Sequence, residues 1–227
     1  MLAPTILLED NHLLALDKPA GMLSQGDATG DLSIDAWAAA DLKRRHGKPG
    51  NVYVGLVHRL DRPVSGVILV ARTSKAASRL SEQFRAGEVE KSYRAVVEGT
   101  WPEDEGEWAD TLIKDDRTNV VSVAPAGAYK GQTASLRYQV IDRDRRTTTF
   151  RLMPSTGRGH QLRVQLASRG LPILGDAKYG ARGRIMASGG GHRIALHAES
   201  LSFLHPTRRE ATRVTAGVPA DWPGPGR

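Results

Sequence analysis

The sequence contains no cysteine among its 227 residues. Disulfide bonds and cysteine-ligated zinc sites are therefore excluded, and the composition fits a protein of the reducing cytoplasm. No run of about 18 apolar residues occurs either, so we expect no membrane-spanning helix. The first residues, Met1–Asp10, have neither a basic start nor a small-residue cleavage site, so a secretory signal peptide is not expected.

Positive charge is in excess, with 32 Lys and Arg residues against 25 Asp and Glu residues and a formal net charge of +7. This balance favours a polyanionic partner. The length and the 40% hydrophobic content predict one domain, or two small lobes that share a core. The acidic connection Trp101–Glu107 is the predicted boundary between lobes, and Asp221–Arg227 is a predicted flexible tail.

Hydrophobic periodicity and end signals predict a chain of mixed strands and helices. Helices are expected from Asp31 or Ser33 to Arg45, from Thr73 or Ser74 to Gly87, and over His160–Arg169. Pro172–Gly180 is expected to form a strand and a turn, and the other strands are Thr5–Leu8, His12–Asp17, Tyr53–Val57, Val67–Val70, Val89–Glu98, Val120–Val123, Thr133–Asp142, Thr147–Met153, Ile194–Ala198 and Leu201–Leu204. The basic cluster at the end of the first helix (Lys43, Arg44, Arg45, His46 and Lys48) is either a solvated helix terminus or an RNA contact.

The most informative stretch is Tyr53–Val70, in which two apolar runs flank the polar insert His58–Pro63. Arg59 and Asp61 in this insert place a guanidinium beside a carboxylate, next to a predicted strand end. Taken alone, an Arg-x-Asp pattern favours a structural ion pair that closes a loop. The surrounding residues favour a functional role instead.

His58-Arg59-Leu60-Asp61, followed by Ser65-Gly66, resembles the HRLD-x-x-(T/S)-S-G motif of the RluA-type RNA pseudouridine synthases. Four further segments resemble motifs of this family in the family's order: Lys91-x-Tyr93, Gly157–Val164, Pro172–Asp176 with Tyr179-Gly180, and Leu196–Ala198 with Phe203-x-His205-Pro206. The resemblance spans almost the whole chain. It implies an α+β pseudouridine synthase fold, a mixed and mostly antiparallel bent sheet with flanking helices and a central basic cleft.

The resemblance also implies an activity, the isomerisation of specific uridines in structured RNA to pseudouridine. An ionised carboxylate can act in this reaction as nucleophile or base while positive charge develops on the ribose, and a nearby arginine favours the ionised form. The implied catalytic residues are Asp61, Tyr93, which would lie against the target base, and Arg163, which would pair with the aspartate. The implied substrate-binding residues are Arg59, which would insert where the base left, together with His58, Lys91, Arg158 and His160.

No metal is predicted, because His192, His197 and His205 are not spaced as zinc ligands. No organic cofactor is predicted either. The expected partner is a stem-loop of rRNA or tRNA, and we expect a cytoplasmic monomer. The resemblance further implies a compact member of the family, without the small N-terminal RNA-binding domain of many relatives.

Three positions differ from the family pattern: Val64 and Gly159 stand where Thr is usual, and Gln165 where His is usual. We expect these differences to affect substrate contacts near the cleft more than catalysis. Two other functions are compatible with the motifs. One is a non-catalytic RNA-binding protein that retains the fold, and the other is a glycosidase, which would need a second carboxylate as its acid.

Overall fold

The structure is a computed structural model that describes residues 3–47, 49–125, 128 and 130–223. Three helices are present in these ranges, α1 (Ile34–Arg45), α2 (Ser74–Ala86) and α3 (Gln161–Ala167), with a 3₁₀ turn at Ala177–Tyr179. The strands are β1 (Thr5–Glu9), β2 (Leu13–Lys18), β3 (Gly55–Leu56), β4 (Ser65–Ala71), β5 (Glu90–Glu98), β6 (Glu105–Asp115), β7 (Val120–Val123), β8 (Gln132–Arg143), β9 (Thr147–Pro154), β10 (Ile185–Met186), β11 (His192–Arg193), β12 (Leu196–Leu204) and β13 (Ala211–Thr215). The predicted α+β class is confirmed.

The chain divides into two compact units. The first consists of Met1–Val89, Met186–Arg193 and Ala198–Val218. Its strands follow the order β1, β2, β4, β12 and β13, with β3 also paired to β4. The pairs β1–β2, β2–β4, β3–β4 and β12–β13 are antiparallel.

The core of the first unit forms where the apolar strands β2 and β4 meet α2. Val67 and Leu69 of β4 pack with Ala76 and Leu80 of α2 in one buried cluster. Helix α2 starts where predicted, because the Thr73 hydroxyl accepts the Ala76 N–H at 3.2 Å. It ends at Gly87, whose left-handed backbone has φ 74°.

The second unit consists of Glu90–Ile185, Ile194–His197 and Pro219–Arg227. Its strands follow the order β5, β9, β8, β6 and β7, and each of these pairings is antiparallel. An aromatic cluster fills part of its core: the rings of Trp108 and Tyr138 are 4.4 Å apart, and Phe150 lies edge-on to both. The Trp101 indole N–H donates to the Tyr138 hydroxyl at 3.1 Å, which satisfies both polar groups.

The units divide between Val89 and Glu90. The connection Trp101–Glu107, predicted as the boundary, instead lies within the second unit and leads into β6, an 11-residue strand that was not predicted. The predicted tail also differs, because Trp222 is buried and its ring lies edge-on to His197 at 5.9 Å. Residues 224–227 of that tail lie outside the described residues.

The predicted strand Tyr53–Val57 is reduced to the two residues of β3, Gly55 and Leu56, and Tyr53 is exposed. The two predicted strands after residue 194 are one continuous strand, β12, and β13 was not predicted.

In the basic cluster of α1, the guanidinium groups of Arg44 and Arg45 pair with Asp41 at 2.5 and 2.6 Å. His46 and Arg45 also contact Glu9. These pairs favour the solvated helix terminus over an RNA contact. Lys48, the last residue of that cluster, lies outside the described residues.

Candidate active site

Asp61 lies half-buried in the loop between β3 and β4, and hydrogen bonds hold the backbone on both sides of it. Before it, the Ser24 hydroxyl donates to the Leu60 carbonyl at 2.6 Å and accepts the Leu60 N–H at 3.0 Å. After it, the Arg62 carbonyl accepts the Gly21 N–H at 2.8 Å. The Asp61 carbonyl itself accepts the Val64 N–H at 3.0 Å. The carboxylate therefore projects from a backbone that is fixed before any substrate binds.

A buried lysine supports the same loop. The ammonium group of Lys18, 0% exposed, donates to the carbonyls of Met22, Arg62 and Pro19 at 2.8, 3.2 and 3.1 Å. Burial lowers the pKa of Lys18 to about 7, and Asp61 is the charge that most opposes this change. The Lys18 ammonium group is therefore close enough to Asp61 for the two charges to interact. Lys18 was not predicted to belong to the site, although a lysine that ends an apolar strand is an unusual pattern.

Gly66 follows the loop and explains the Ser-Gly pair of the motif. Its φ is +112°, and a Cβ atom placed there would lie 2.2 Å from the carbonyl oxygen of Ala198. Only glycine fits this contact between β4 and β12. The Gly66 N–H also donates to Asp17, whose pKa burial raises to about 6.

His58 and Arg59, both predicted to bind substrate, lie in different environments. The His58 Nε2 atom accepts the Leu69 N–H at 2.9 Å, and the ring stacks on Phe84 with centroids 4.7 Å apart. These contacts anchor the start of the loop to β4 and α2, which gives His58 a structural role in the first unit. Arg59, by contrast, is exposed beside Asp61. Its position is compatible with the predicted contact to RNA.

The other predicted site residues lie in the second unit. Tyr93 and Lys91 share one face of β5, because side chains two residues apart point to the same side. The Lys91 ammonium donates to the Thr156 carbonyl at 3.0 Å, and burial lowers the pKa of Lys91. Lys91 therefore ties β5 to the loop that leads into α3. Tyr93 is half-buried, and its contact with the target base stays a prediction.

Arg163 lies in α3 and is 5% exposed. Its guanidinium binds the Asp176 carboxylate through two hydrogen bonds, Nε to Oδ2 at 2.7 Å and Nη2 to Oδ1 at 2.8 Å. The Tyr179 ring lies 5.0 Å from the guanidinium carbon. Asp176 and Tyr179 belong to the quoted motif segments, but no role was predicted for them. Since Asp61 and Arg163 belong to different units, their pairing stays a prediction.

The loop before α3 carries the two remaining residues predicted to bind substrate. Arg158 is exposed, and its Nε donates to the Thr133 carbonyl at 3.0 Å. His160 caps α3 with a left-handed backbone at φ 55°, and its Nδ1 lies 2.6 Å from the Tyr179 hydroxyl. The binding roles of both residues stay predictions.

Two of the three departures from the family pattern lie in the protein interior. Val64 is buried, and Gln165 is buried with its amide donating to Asp110 at 2.7 Å and to the Ala134 carbonyl at 3.2 Å. These two residues pack and bond within their own units, which corrects the expectation that they alter substrate contacts. Gly159 is exposed in the loop before α3 and stays a candidate for such a contact.

The histidines considered as metal ligands have other surroundings. His205 is buried, and its Nε2 lies 2.6 Å from Asp10 while its Nδ1 accepts the N–H groups of Thr207 and Arg208. Within residues 3–47, 49–125, 128 and 130–223, no group of three or more His, Asp or Glu side chains is arranged to hold a metal ion. In the same ranges, no helix combines the length and apolar character needed to cross a bilayer.

Comparisons with known proteins agree with these motifs. Residues 12–168 match a family model described as RNA pseudouridylate synthase. Ribosomal large subunit pseudouridine synthase C of Buchnera aphidicola subsp. Baizongia pistaciae is 36% identical over 217 residues, which are 93% of this chain and 66% of the relative. Ribosomal large subunit pseudouridine synthase D of Xanthomonas campestris pv. campestris is 37% identical over 228 residues, 95% of this chain and 66% of the relative. The chain thus spans just under two thirds of the length of these relatives.

A solved structure shares the fold. Human RNA Pseudouridylate Synthase Domain Containing 4 superposes with a TM-score of 0.76 at 26% identity, and the match covers 95% of this chain and 89% of that one. The predicted pseudouridine synthase fold is confirmed by this match, and the predicted family by the match to more than half of the chain. The chain therefore belongs to the RNA pseudouridylate synthase family, with the motifs of its RluA-type members.

Proposed function

We propose that the protein isomerises specific uridines in structured RNA, either rRNA or tRNA, to pseudouridine. The observation that carries this proposal is the rigid placement of Asp61: a half-buried carboxylate in the HRLD segment, on a backbone bonded on both sides and close to the buried cation Lys18. A reacting group held in one geometry avoids the entropic cost of being ordered during the reaction. Two relatives at 36% and 37% identity that are named ribosomal large subunit pseudouridine synthases support rRNA as the first substrate to test.

The reaction breaks the N1–C1′ bond of uridine and forms a C5–C1′ bond, while C5 loses a proton and N1 gains one. In our proposal Asp61 acts as nucleophile or base while positive charge develops on the ribose. The Tyr93 ring stacks on the uracil and its hydroxyl assists removal of the C5 proton. A stacked base must first be extruded from the RNA, at a cost of a few kcal/mol. In our proposal the exposed side chain of Arg59 then occupies the place that the base leaves.

The proposal can be tested with purified protein and transcripts of rRNA and tRNA that carry tritium at uridine C5. A pseudouridine synthase releases the tritium without releasing uracil, whereas a glycosidase releases free uracil and a non-catalytic RNA-binding protein releases neither. We expect Asp61→Asn to abolish tritium release while RNA binding is retained. Asp116→Asn is a matched control, because that carboxylate is 87% exposed and pairs only with Lys114 among the described residues. Full activity of Asp61→Asn would remove Asp61 from the mechanism.

A further inference from the structure

Two side chains of the second unit, Asp176 and Tyr179, contact the guanidinium of Arg163. Asp176, 1% exposed, engages one edge of the guanidinium through Nε and Nη2. Paired hydrogen bonds of this kind fix the plane of the guanidinium as well as its position.

The face of the guanidinium is held as well. The Tyr179 ring lies 5.0 Å from the guanidinium carbon, within the range of a cation–π contact. The far end of that ring is fixed because the Tyr179 hydroxyl accepts the Val121 N–H at 3.2 Å and contacts His160 Nδ1 at 2.6 Å. His160 in turn is the capping residue of α3, the helix that carries Arg163. The ring can therefore not shift unless the start of α3 or β7 shifts too.

Depth of burial distinguishes this ion pair from a second one in the same unit. The pair Arg169–Asp110, at 3.0 Å in the same unit, also places a guanidinium over an aromatic ring, that of Trp108 at 4.5 Å. The side chains of that pair, however, are 21% and 13% exposed, whereas the side chains of Arg163 and Asp176 are 6% and 1% exposed. A deeply buried ion pair contributes little net stability because both groups lose their hydration, but it fixes geometry. Arg163 is thus held in one orientation at a considerable cost in desolvation.

We propose that Asp176 and Tyr179 are positioning residues that fix the orientation in which Arg163 acts in the isomerisation. The inference rests on the proposed function, since it needs Arg163 to take part in the reaction. Asp176 fixes one edge of the guanidinium, and Tyr179 fixes its face. An error of about 1 Å in such a group can cost on the order of 100-fold in rate.

The test measures kcat and KM by tritium release from rRNA transcripts labelled at uridine C5. Asp176→Asn replaces one acceptor by an amide N–H that faces a guanidinium N–H, and we expect kcat to fall about 100-fold with little change in KM. Tyr179→Phe keeps the ring and removes the hydroxyl that contacts Val121 and His160, so we expect a smaller fall of about 5- to 10-fold. Tyr179→Phe also carries the test if Asp176→Asn fails to fold. Asp110→Asn is the control for a lost ion pair, and its kcat should stay at the wild-type value.

Combined variants separate positioning from stability. In an Arg163→Lys background, Asp176→Asn and Tyr179→Phe should cause no further loss of kcat, because the group that they orient is already gone. Losses that multiply with that of Arg163→Lys, or a wild-type kcat for Tyr179→Phe, would overturn the inference. If Asp61→Asn is inactive while both positioning variants keep full kcat, only this inference fails. If the wild-type protein forms no pseudouridine, the proposed function fails and this inference with it.

Discussion

Replacing Lys18 by methionine should change how the free energy of unfolding depends on pH. Lys18 is 0% exposed, and burial lowers its pKa from 10.5 to about 7, the nearby charge of Arg62 also acting downward and those of Asp61 and Asp17 upward. In the unfolded chain the lysine is hydrated and regains its ordinary pKa. Between these two values, the unfolded chain therefore binds more protons than the folded protein.

This difference in bound protons decides the direction in which pH changes the free energy of unfolding. The penalty for burying the ammonium is complete below the folded pKa of about 7 and disappears above 10.5, so the free energy of unfolding rises with pH across this window. One pKa unit corresponds to about 1.4 kcal/mol. The lowered pKa of Lys18 therefore predicts that the free energy of unfolding rises by about 2 kcal/mol between about pH 7 and about pH 9. Lys18→Met has no such group. It leaves the carbonyls of Met22, Arg62 and Pro19 without their donor, but that cost is independent of pH.

Urea unfolding followed by tryptophan fluorescence, at both pH values, measures the effect. The difference in unfolding free energy between wild type and Lys18→Met should move by about 2 kcal/mol in favour of the wild type as the pH rises. Lys75→Met, at an exposed lysine of α2, controls for the titration of ordinary surface lysines. An equal difference at both pH values would show that the pKa of Lys18 is not displaced, and would refute the reasoning.

Three further substitutions test the surroundings of Asp61. Gly66→Ala places a Cβ atom 2.2 Å from the Ala198 carbonyl at φ +112°, so we expect a loss of more than about 3 kcal/mol by chemical denaturation, and a wild-type midpoint would contradict this contact. Ser24→Ala leaves the buried Leu60 N–H and C=O without partners, which should cost about 2 kcal/mol and lower kcat in the tritium assay; an unchanged kcat would show that the loop does not depend on this clamp. Burial raises the pKa of Asp17 to about 6, so the folded protein binds the extra proton and the free energy of unfolding falls as pH rises from about 4 to about 6. Asp17→Asn should remove that fall in urea titrations, and a fall as large as in the wild type would assign it to another group.

Elements with strong local signals could be predicted from the sequence. Helix α2 has Thr73 as its cap, apolar residues four apart and Gly87 at its end, and each of these signals acts within a few residues. Strand β6 was missed because its acidic residues resemble a linker. Its alternation was nevertheless readable, since Trp108 and Leu112 are buried while Glu107 is exposed.

In the candidate site, the residues of the motifs could be predicted from the sequence, but the contacts that hold them could not. The motifs predict Asp61, Arg163 and Tyr93 as catalytic residues, but a motif carries no information on contacts between distant segments. The bonds from Lys18 and Ser24 to the Asp61 loop join residues 44 and 36 positions apart, and no local pattern predicts them. They arise because β2 and β4 are neighbours in one sheet, which brings the ends of both strands together.

The central claim, that Asp61 makes this protein a catalyst rather than an RNA-binding protein, is tested most directly in the cell. Pseudouridines would be mapped across rRNA and tRNA from a strain that lacks the gene, complemented with the wild type or with Asp61→Asn. We predict that specific sites disappear on deletion and that only the wild type restores them, which also identifies the substrate. Restoration of every lost site by Asp61→Asn, or no change on deletion, would contradict the account.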